Sequence, residues 1–586
     1  MHLAEVFFEE RSRHLLSWDS GPVLGEIRED GALHIKVPPA ASEGGRTGPI
    51  RVGLDGDAVL FIESREVFAS FYLDGADLTV VETGLNGERQ RWKTSLSATE
   101  QGAWTIQDVL EGWDEGGGSC IVLTVADSRG SVEFHQTGAG KAVRTHRPAA
   151  TGQLVHWDLR HDAAVIRQDR GPWDPLLHLE RPLSAAAAMS ISAQWKDGWN
   201  GQGAVVVSGT TGDPHLAVWD LLTSSVTPVA APLGHVDDAR ILRDASRHIV
   251  ALATLDGSDT LHVCDPGTGE TKPLPLNGTG RLRFRVAGER GTGLYSFSTL
   301  AGSSWLWLDR EGTVHQARGD VPRYEGGATL THVWYGQTPA LEYMPEQPPI
   351  AMVVSLHGGP ESLERDELRW DGMYRVFLDA GIAVIGLNYC GSTGYGAAHT
   401  ERARKDWLSV FQEDLRACVE AARTWDIDPA DIALLGGSFG GGLALLGCVL
   451  ERDLAGAVAS APLIDIRHHA RHATAADSSY GDWFEDRFEL AASATAVQRV
   501  FDPEYLTTTA PEQRVFLIHG DQDEVTGWQH SRHAADLASR RGLPWTLVTE
   551  RGVGHVPADR GQTNDRYRHI RAAVSEVLGL EIPRQR

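Results

Sequence analysis

The chain has 586 residues, of which 41% are hydrophobic, and a formal net charge of −25. This length and composition predict more than one domain with packed cores. The acidic balance argues against nucleic acids and anionic membranes as partners, since both are bound by basic surfaces. The sequence shows no apolar stretch of membrane-spanning length and no basic and apolar signal segment near its start. Its five cysteines are scattered without a metal-binding spacing, which indicates a reducing compartment, so we expect a cytoplasmic protein.

The first 320 or so residues are rich in short alternating strands separated by Gly and Asp turns. Segment 216–220 recurs as 261–265 and again as 306–309, so that the strand ends lie 45 and 44 residues apart. A repeat of this length with several strands is typical of a propeller blade. We therefore predict an all-β propeller of about seven blades over residues 1–322. A pair of β-sandwiches is the alternative.

Beyond a break in the strand pattern at 319–328, apolar strands alternate with helix-like segments. This alternation predicts a mostly parallel sheet, and hence an α/β domain over residues 323–586. An amphipathic helix is predicted over 407–425, because its apolar residues recur every three or four positions on one face.

Residues 436–440 read Gly-Gly-Ser-Phe-Gly and lie between an apolar run, 432–435, and a helix-like run, 441–450. A strand, a sharp Gly-x-Ser-x-Gly turn and a helix together make a nucleophile elbow. Small residues are needed two before and two after the serine, because larger side chains would collide there. The pattern predicts Ser438 as a nucleophile exposed at the carboxyl end of a sheet.

A serine hydroxyl needs a base to take its proton and an acid to orient that base. Two later apolar strands end just before an acidic segment, 521–524, and just before His555. The carboxyl ends of parallel strands are where open α/β sheets place their sites. We predict His555 as the base and Asp523 as the acid, with Asp521 and Glu524 as alternatives for the acid.

Upstream, a predicted strand at 352–356 is followed by His357, Gly358, Gly359 and Pro360. Glycines at this position let the backbone approach a substrate and point N–H groups at it. The backbone N–H groups of Gly359 and Phe439 are therefore predicted to form an oxyanion hole.

In chain order, the motifs at 357–360, 388–396 and 436–441 and the segments around His519 and His555 resemble the prolyl oligopeptidase family of serine peptidases. That family includes acylaminoacyl peptidases and dipeptidyl peptidases. The resemblance implies a catalytic α/β-hydrolase domain whose propeller restricts access to short or unfolded peptides. It also implies that the first 20 or so residues could pack on the hydrolase domain instead of in a blade.

Two departures from the family pattern leave the substrate class open. The family commonly has an arginine two residues after the catalytic acid, where this chain has Val525, and often an arginine where Cys390 stands. A valine side chain cannot donate a hydrogen bond to a substrate carbonyl. By position, the substrate pocket is predicted to include His357, Tyr480, Trp483, Phe484 and Val525.

His468 and His472 have the i, i+4 spacing of two metal ligands on one helix face, but no acidic third ligand is evident. We therefore expect a surface helix there, no metal and no cofactor. A dinucleotide loop at 391–396 is not expected, because its glycine spacing is reversed relative to that fingerprint.

The sequence thus predicts a serine peptidase of aminopeptidase type that cleaves amide bonds of short peptides or aminoacyl derivatives through an acyl-enzyme. An esterase, an amidase or an acyl-transferring cyclase that acts on a small peptide-like metabolite is the alternative. A propeller interaction module fused to an inactive hydrolase is a third hypothesis, which a complete Ser, Asp and His set disfavours. Oligomerisation is left open.

Overall fold

A computed structural model gives the fold, and its description covers part of the chain. The described residues are 13–18, 22–27, 32–36, 50–53, 58–62, 67–74, 76–84, 88–96, 104–127, 131–139, 141–169, 175–184, 189–207, 215–229, 234–242, 248–276, 280–288, 291–309, 312–404, 406–476, 479–488 and 501–583.

The N-terminal region, residues 13–318, is built mainly from antiparallel strands in up-and-down order, with one parallel pair between β9 and β13. Its strands are β1 Arg13–Trp18, β2 Pro22–Ile27, β3 Ala32–Lys36, β4 Ile50–Gly53, β5 Ala58–Ile62, β6 Val67–Asp74, β7 Asp77–Gly84, β8 Arg89–Ser95, β9 Thr105–Trp113, β10 Ser119–Ala126, β11 Val132–Thr137, β12 Arg144–His146, β13 Gln153–Asp158, β14 Ala163–Asp169, β15 Pro175–Glu180, β16 Met189–Trp199, β17 Gln202–Val207, β18 His215–Asp220, β19 Val226–Pro228, β20 His235–Ile241, β21 Ile249–Leu255, β22 Ser258–Cys264, β23 Thr271–Leu274, β24 Arg281–Gly288, β25 Gly291–Ser298, β26 Gly302–Asp309 and β27 Val314–Arg318.

These strands form four-stranded units. Strands β1–β4, β5–β8, β20–β23 and β24–β27 each make a separate four-stranded sheet. Strands β9–β19 are joined in one sheet, but β16 pairs with β15 through residues 189–192 and with β17 through residues 193–199. The repeat found in the sequence falls on β18, β22 and β26, which are the third strands of consecutive units. The predicted period therefore corresponds to one four-stranded unit.

Consecutive units stack face to face because side chains alternate between the two faces of each strand. On β21, Ile249, Ala251 and Ala253 pack against apolar residues of the preceding unit. Their neighbours Val250 and Leu252 pack against apolar residues of the following unit. The period-2 alternation thus gives each inner strand two buried faces and holds adjacent units together.

The C-terminal region contains one eight-stranded sheet of order β28-β29-β31-β30-β32-β33-β34-β35. Strands β28, β29 and β31 pair antiparallel, and the pairs from β31 through β35 are parallel. The strands are β28 Thr329–Tyr335, β29 Thr338–Met344, β30 Ala351–Leu356, β31 Ile382–Leu387, β32 Ile432–Gly437, β33 Gly456–Ser460, β34 Arg514–Gly520 and β35 Trp545–Glu550.

Helices cover both faces of this sheet. They are α1 Met373–Asp379, α2 Ala397–Arg402, α3 Trp407–Arg423, α4 Phe439–Leu450, α5 Ile466–Ala476, α6 Ser479–Phe488, α7 Pro503–Leu506, α8 Trp528–Arg540 and α9 Arg560–Leu578, with short 3-10 turns at Leu159–His161, Arg369–Gly372 and Pro429–Asp431. Helices α3 and α4 pack on one face, and α1 and α9 pack on the other. The central strands are buried on both faces, which explains their continuous apolar runs.

Helix α3 matches the amphipathic helix predicted over 407–425 and ends two residues earlier. Its buried face includes Phe411, Leu415 and Cys418, as the apolar spacing predicts. Asp414 lies on the same buried face, where its carboxylate accepts hydrogen bonds from the Thr338 hydroxyl at 2.6 Å and the Cys390 backbone N–H at 2.7 Å.

Strand pairing changes from the N-terminal units to the C-terminal sheet between the end of β27 at Arg318 and the start of β28 at Thr329. Strand β1 pairs with β2 in the first sheet, and residues 1–12 lie outside the described residues. The domain bounds 1–322 and 323–586, and the packing of the first residues on the hydrolase domain, stay predictions.

None of the described helices is long and apolar enough to cross a membrane. All five cysteines are buried free thiols.

A buried charge cluster joins the two regions. Arg365, in the loop after β30, donates to Asp237 Oδ1 at 2.6 Å and to Asp259 Oδ1 at 3.2 Å. These carboxylates come from β20 and β22, and the side chains of Arg365 and Asp259 are 8% and 1% exposed. Burial raises the pKa of Asp259 even with the guanidinium beside it. The arginine therefore compensates one fully buried carboxylate, Asp259, and one that is 22% exposed, Asp237.

Replacing Arg365 with methionine should destabilise the protein by about 3 kcal/mol, because it leaves both carboxylates without their buried partner. We expect the melting temperature to fall by about 5–10 °C. The control is Arg423→Met, which removes the exposed ion pair with Glu420 and should change stability by less than about 0.5 kcal/mol. Equal melting temperatures for the two variants would contradict the compensating role of Arg365.

Candidate active site

Ser438 stands in a tight turn between β32 and α4, as the sequence predicts. Its backbone has φ 55° and ψ −121°, a conformation that non-glycine residues rarely adopt. A Cβ atom at Gly436 would lie 2.1 Å from the Gly440 carbonyl oxygen, and one at Gly440 would lie 2.1 Å from the Leu356 carbonyl oxygen. Only glycine fits at these two positions, so the Gly-x-Ser-x-Gly spacing follows from the close crossing of helix and strands.

Backbone hydrogen bonds hold the turn. The Ser438 N–H donates to the Ser460 carbonyl at 2.9 Å, at the end of the neighbouring strand β33. The Ser438 carbonyl accepts from the N–H groups of Gly442 at 3.1 Å and Leu463 at 2.9 Å. The strained conformation is therefore fixed by its surroundings on three sides.

Asp523 lies in the loop between β34 and α8 and binds His555. Its Oδ2 accepts from His555 Nδ1 at 2.7 Å, His519 Nε2 at 3.0 Å and the Thr526 hydroxyl at 3.0 Å. Its Oδ1 accepts from the backbone N–H groups of Val525 at 2.8 Å and Thr526 at 3.0 Å. Burial alone would raise the pKa of Asp523, but the donors His519 and His555 outweigh it and lower this pKa well below its usual range.

The two alternative carboxylates have other environments. Asp521 Oδ1 accepts from the Gly552 backbone N–H at 2.7 Å, which braces the loop before His555. Glu524 is exposed. Of the three, Asp523 is the carboxylate that contacts the imidazole.

His555 follows β35, and its side chain is 22% exposed. Because Nδ1 donates to a carboxylate, the neutral ring carries its lone pair on Nε2. Arg566 Nη1 donates to the His555 carbonyl at 2.7 Å and so fixes the backbone from α9. Asp523 thus orients the imidazole, and Arg566 holds the backbone that carries it.

Ser438, Asp523 and His555 follow β32, β34 and β35, so all three lie at the carboxyl edge of the parallel strands. Backbone contacts link them through β33, because the Ser438 N–H donates to the Ser460 carbonyl and the Ala461 N–H donates to the Ile518 carbonyl of β34 at 2.8 Å. This edge is where α/β sheets carry their sites.

The glycine loop after β30 adjoins the serine. A Cβ atom at Gly358 would come within 3.4 Å of Ser438 Cβ. Gly359 has φ 136°, which a side chain would disfavour. Phe439 is the first residue of α4, where helix N–H groups have no intrahelical acceptor. Both predicted oxyanion donors therefore belong to segments that meet at Ser438.

The predicted pocket residues have different surroundings. His357 is fully buried, with Nε2 2.7 Å from the Ser392 hydroxyl and Nδ1 2.7 Å from the Gly358 carbonyl, so its ring braces the glycine loop. Tyr480 lies in α6, but its side chain is outside the described residues. The predicted roles of Tyr480 and of the other four residues in the substrate pocket stay predictions.

Trp483 and Phe484 lie farther along α6. The Arg487 guanidinium stacks on the Trp483 ring at 4.8 Å and donates through Nε to Glu361 at 2.6 Å, which ties α6 to the segment after the glycine loop. Phe484 is 4% exposed and packs edge-on against the His469 ring at 5.5 Å. Val525 is 51% exposed. Its carbonyl is 2.8 Å from His469 Nδ1, so His469 contacts both Phe484 and the Val525 backbone.

Sequence reasoning missed the supporting roles of His519, Thr526 and His469. His519 is fully buried, with Nδ1 2.7 Å from the Ser531 hydroxyl and Nε2 on Asp523. Its position in the His-Gly-x-x-Asp segment was the available signal. Nothing in the sequence around Thr526 or His469 indicates that these side chains reach Asp523 or Val525.

Replacing His519 with leucine should lower kcat/KM about tenfold, because Asp523 loses a hydrogen-bond donor. The loss of that donor also raises the pKa of Asp523, so the ionised carboxylate should contribute less to stability at pH 7. His519→Gln, which can still donate, should recover most of the activity. Steady-state kinetics gives kcat/KM for all three proteins, and an unchanged kcat/KM in His519→Leu would contradict the role.

The histidines of α5 show no metal arrangement. His468 Nδ1 is 3.1 Å from His530 Nε2, and the rings of His468 and His472 are 6.4 Å apart. Within the described ranges, no group of three or more His, Cys, Asp or Glu residues could hold a metal ion.

The C-terminal region matches a known protein family. Residues 370–581, which contain Ser438, Asp523 and His555, match the prolyl oligopeptidase family. Residues 370–581 form a domain of the prolyl oligopeptidase family. The resemblance noted from the motifs is thereby confirmed. The catalytic roles of the individual residues stay predictions.

Among curated proteins, the chain is similar to dipeptidyl aminopeptidase BIII of Pseudoxanthomonas mexicana, with 32% identity over 106 residues. The match covers 18% of this chain and 15% of that enzyme, a small part of each.

Among solved structures, the prolyl oligopeptidase family domain and the region before it together resemble a puromycin-hydrolyzing peptidase of Mycobacterium tuberculosis. That likeness has a TM-score of 0.66 at 19% identity and covers 99% of this chain and 96% of the other. A prolyl endopeptidase has a TM-score of 0.70 at 15% identity, with 99% and 92% covered. The predicted fold class, an N-terminal β-propeller with a C-terminal α/β-hydrolase domain, is confirmed. The number of blades stays a prediction.

Proposed function

We propose that the chain is a serine peptidase of aminopeptidase type that cleaves amide bonds of short peptides or aminoacyl derivatives through an acyl-enzyme on Ser438. The observation that carries this proposal is the 2.7 Å contact between Asp523 and His555 at the sheet edge where Ser438 stands in a strained turn. A carboxylate, an imidazole and a serine in this order are the parts that acyl transfer needs.

In the proposed reaction, Ser438 Oγ attacks the substrate carbonyl while its proton passes to His555 Nε2. Asp523 keeps the imidazole in the required tautomer and stabilises the imidazolium. The C–N bond then breaks, and the same proton moves from His555 to the leaving amine. Water attacks the ester in a second round, with His555 again as base, and releases the acid and free Ser438.

The backbone N–H groups of Gly359 and Phe439 are proposed to bind the oxyanion that forms in each step. One such donor stabilises the transition state by about 3 kcal/mol. Two observations support this assignment. Gly358 packs against Ser438, and the first N–H groups of α4 have no acceptor within the helix. His357, which is buried behind this loop, would keep its glycines in place.

We further propose that the propeller restricts access, so that only short peptide-like substrates enter. The contacts of Arg365 with Asp237 and Asp259 support this, because they hold the propeller against the loop after β30. A cytoplasmic location is part of the proposal and is supported by the five buried free thiols.

The half-exposed Val525 supports the alternative of an esterase, an amidase or an acyl-transferring cyclase that acts on a small peptide-like metabolite. An alkyl side chain beside the catalytic acid offers no polar anchor for a peptide. An inactive hydrolase is disfavoured, because the hydrogen bonds on Asp523 and His555 would then serve no reaction.

The test is a chromogenic panel of aminoacyl, N-acyl-aminoacyl and X-Pro dipeptidyl amides, simple esters and puromycin. Each substrate is run with enzyme before and after inactivation by a small alkyl fluorophosphonate, and peptide mass spectrometry locates the label. Cleavage of an amide class that is lost on labelling of Ser438 supports the peptidase. Product masses separate hydrolysis, which adds water, from cyclisation, which does not. A label absent from Ser438 refutes the acyl-enzyme.

A further inference from the structure

His469, on α5, lies beside the catalytic loop and has no place in the mechanism above. Its Nδ1 is 2.8 Å from the carbonyl oxygen of Val525, and the Val525 N–H donates to Asp523 Oδ1 at 2.8 Å. The imidazole is therefore one residue removed from the carboxylate that holds His555.

The contact with Val525 fixes the tautomer of His469. A carbonyl oxygen can only accept, so Nδ1 carries the proton, and Nε2 of the neutral ring carries a lone pair. Burial lowers the pKa of His469, and His555 and His472 lower it further, against the opposing effects of the Val525 carbonyl and the Asp523 carboxylate. The ring is thus neutral at pH 7, with an acceptor at Nε2.

The remaining surroundings leave this acceptor available. The edge-on contact with Phe484 is apolar, and the His469 side chain is partly exposed. In the described part of the chain, Nδ1 has the hydrogen bond to Val525, and Nε2 has none. An acceptor on a partly exposed ring beside the Asp523 loop is positioned for a substrate group.

We propose that His469 binds the substrate, and that its Nε2 accepts a hydrogen bond from an N–H on the acyl side of the scissile bond. This inference rests on the proposed function. The leaving-group nitrogen must face His555, which protonates it, so the N–H that reaches His469 belongs to the residue that supplies the scissile carbonyl. The site then favours substrates whose acyl residue has a free N–H over N-alkylated ones.

The experiment compares Ala-Ala-4-nitroanilide with the same compound N-methylated on the second alanine. Wild type should prefer the N–H substrate in kcat/KM, and in His469→Asn this preference should shrink about tenfold, the effect of one hydrogen bond. Asparagine retains a donor where Nδ1 stands but has no atom at Nε2. Because the readout is the change in the substrate ratio, any general cost of the methyl group cancels.

Two further variants separate binding from support of the loop. His469→Gln places an amide near the Nε2 position but loses the Nδ1 contact, so it should keep part of the preference while kcat falls for both substrates. His472→Asn, an exposed neighbour one turn later, should behave as wild type. Wild-type preference in His469→Asn, or equal loss of activity on both substrates in both His469 variants, overturns the proposal.

Labelling by a small alkyl fluorophosphonate separates this proposal from the peptidase proposal. Normal labelling of Ser438 with no discrimination between the two anilides, or with cleavage of neither, refutes the role of His469 and leaves the acyl-enzyme standing. Failure to label Ser438 in the wild type refutes both.

Discussion

Replacing Ser438 with alanine should lower kcat by about 10⁶-fold, the size of effect that loss of the nucleophile has in serine peptidases. The remaining rate would come from the oxyanion donors and from substrate binding. The fold should survive, since the backbone contacts of this turn use the Ser438 N–H and carbonyl, which alanine keeps. Steady-state kinetics on a substrate cleaved by the wild type measures the effect. Retention of near-native turnover would show that another group is the nucleophile.

Ser438→Gly is the matched variant, because it should be equally inactive but more stable. The backbone at this position has φ 55°, which alanine adopts only with strain and glycine adopts readily. We expect Ser438→Gly to exceed Ser438→Ala by about 1 kcal/mol in unfolding free energy, or about 2–4 °C in melting temperature. A glycine variant less stable than the alanine variant would show that the turn is not strained.

The sequence predicts the fold and the centre of the site because both depend on short local patterns. The period of 44–45 residues matches one four-stranded unit, since each unit repeats the same strand and turn lengths. Gly436 and Gly440 identify the elbow, because any side chain there would overlap the backbone. The positions of Asp523 and His555 follow from the strands that precede them, which bring both to one edge.

Side chains from distant segments could not be placed in this way. Arg365 meets Asp237 and Asp259 across 128 and 106 residues of chain, and no local pattern pairs them. His469 reaches Val525 across 56 residues, although the sequence predicts only a surface helix around it. Such contacts depend on how helices and loops dock on the sheet, which periodicity does not determine.

Replacing the carboxylate that orients His555 should give the second large loss of activity. Asp523→Asn should lower kcat by about 10⁴-fold, because an amide can donate to His555 Nδ1 and so stabilise the wrong tautomer. Asp521→Asn should keep most of the activity, since Asp521 binds the Gly552 N–H and does not contact the imidazole. The two variants have the same change in charge and lie two residues apart. The ratio of their kcat values therefore isolates the contribution of the contact with His555.

The thermal stability of the same two variants tests whether the hydrogen bonds to Asp523 stabilise the fold. The lowered pKa of Asp523 means that its ionised form stabilises the fold at any pH above the unfolded value of about 3.9, and that this contribution is lost as pH falls through the folded pKa. At pH 7, Asp523→Asn should therefore melt below Asp521→Asn, and the difference should shrink under acid conditions. Activity lost in Asp521→Asn and kept in Asp523→Asn would move the acid to Asp521. Equal, small losses of activity in both variants would contradict a catalytic triad. A carboxylate that accepts hydrogen bonds from five donors would then have no effect on the base that it orients.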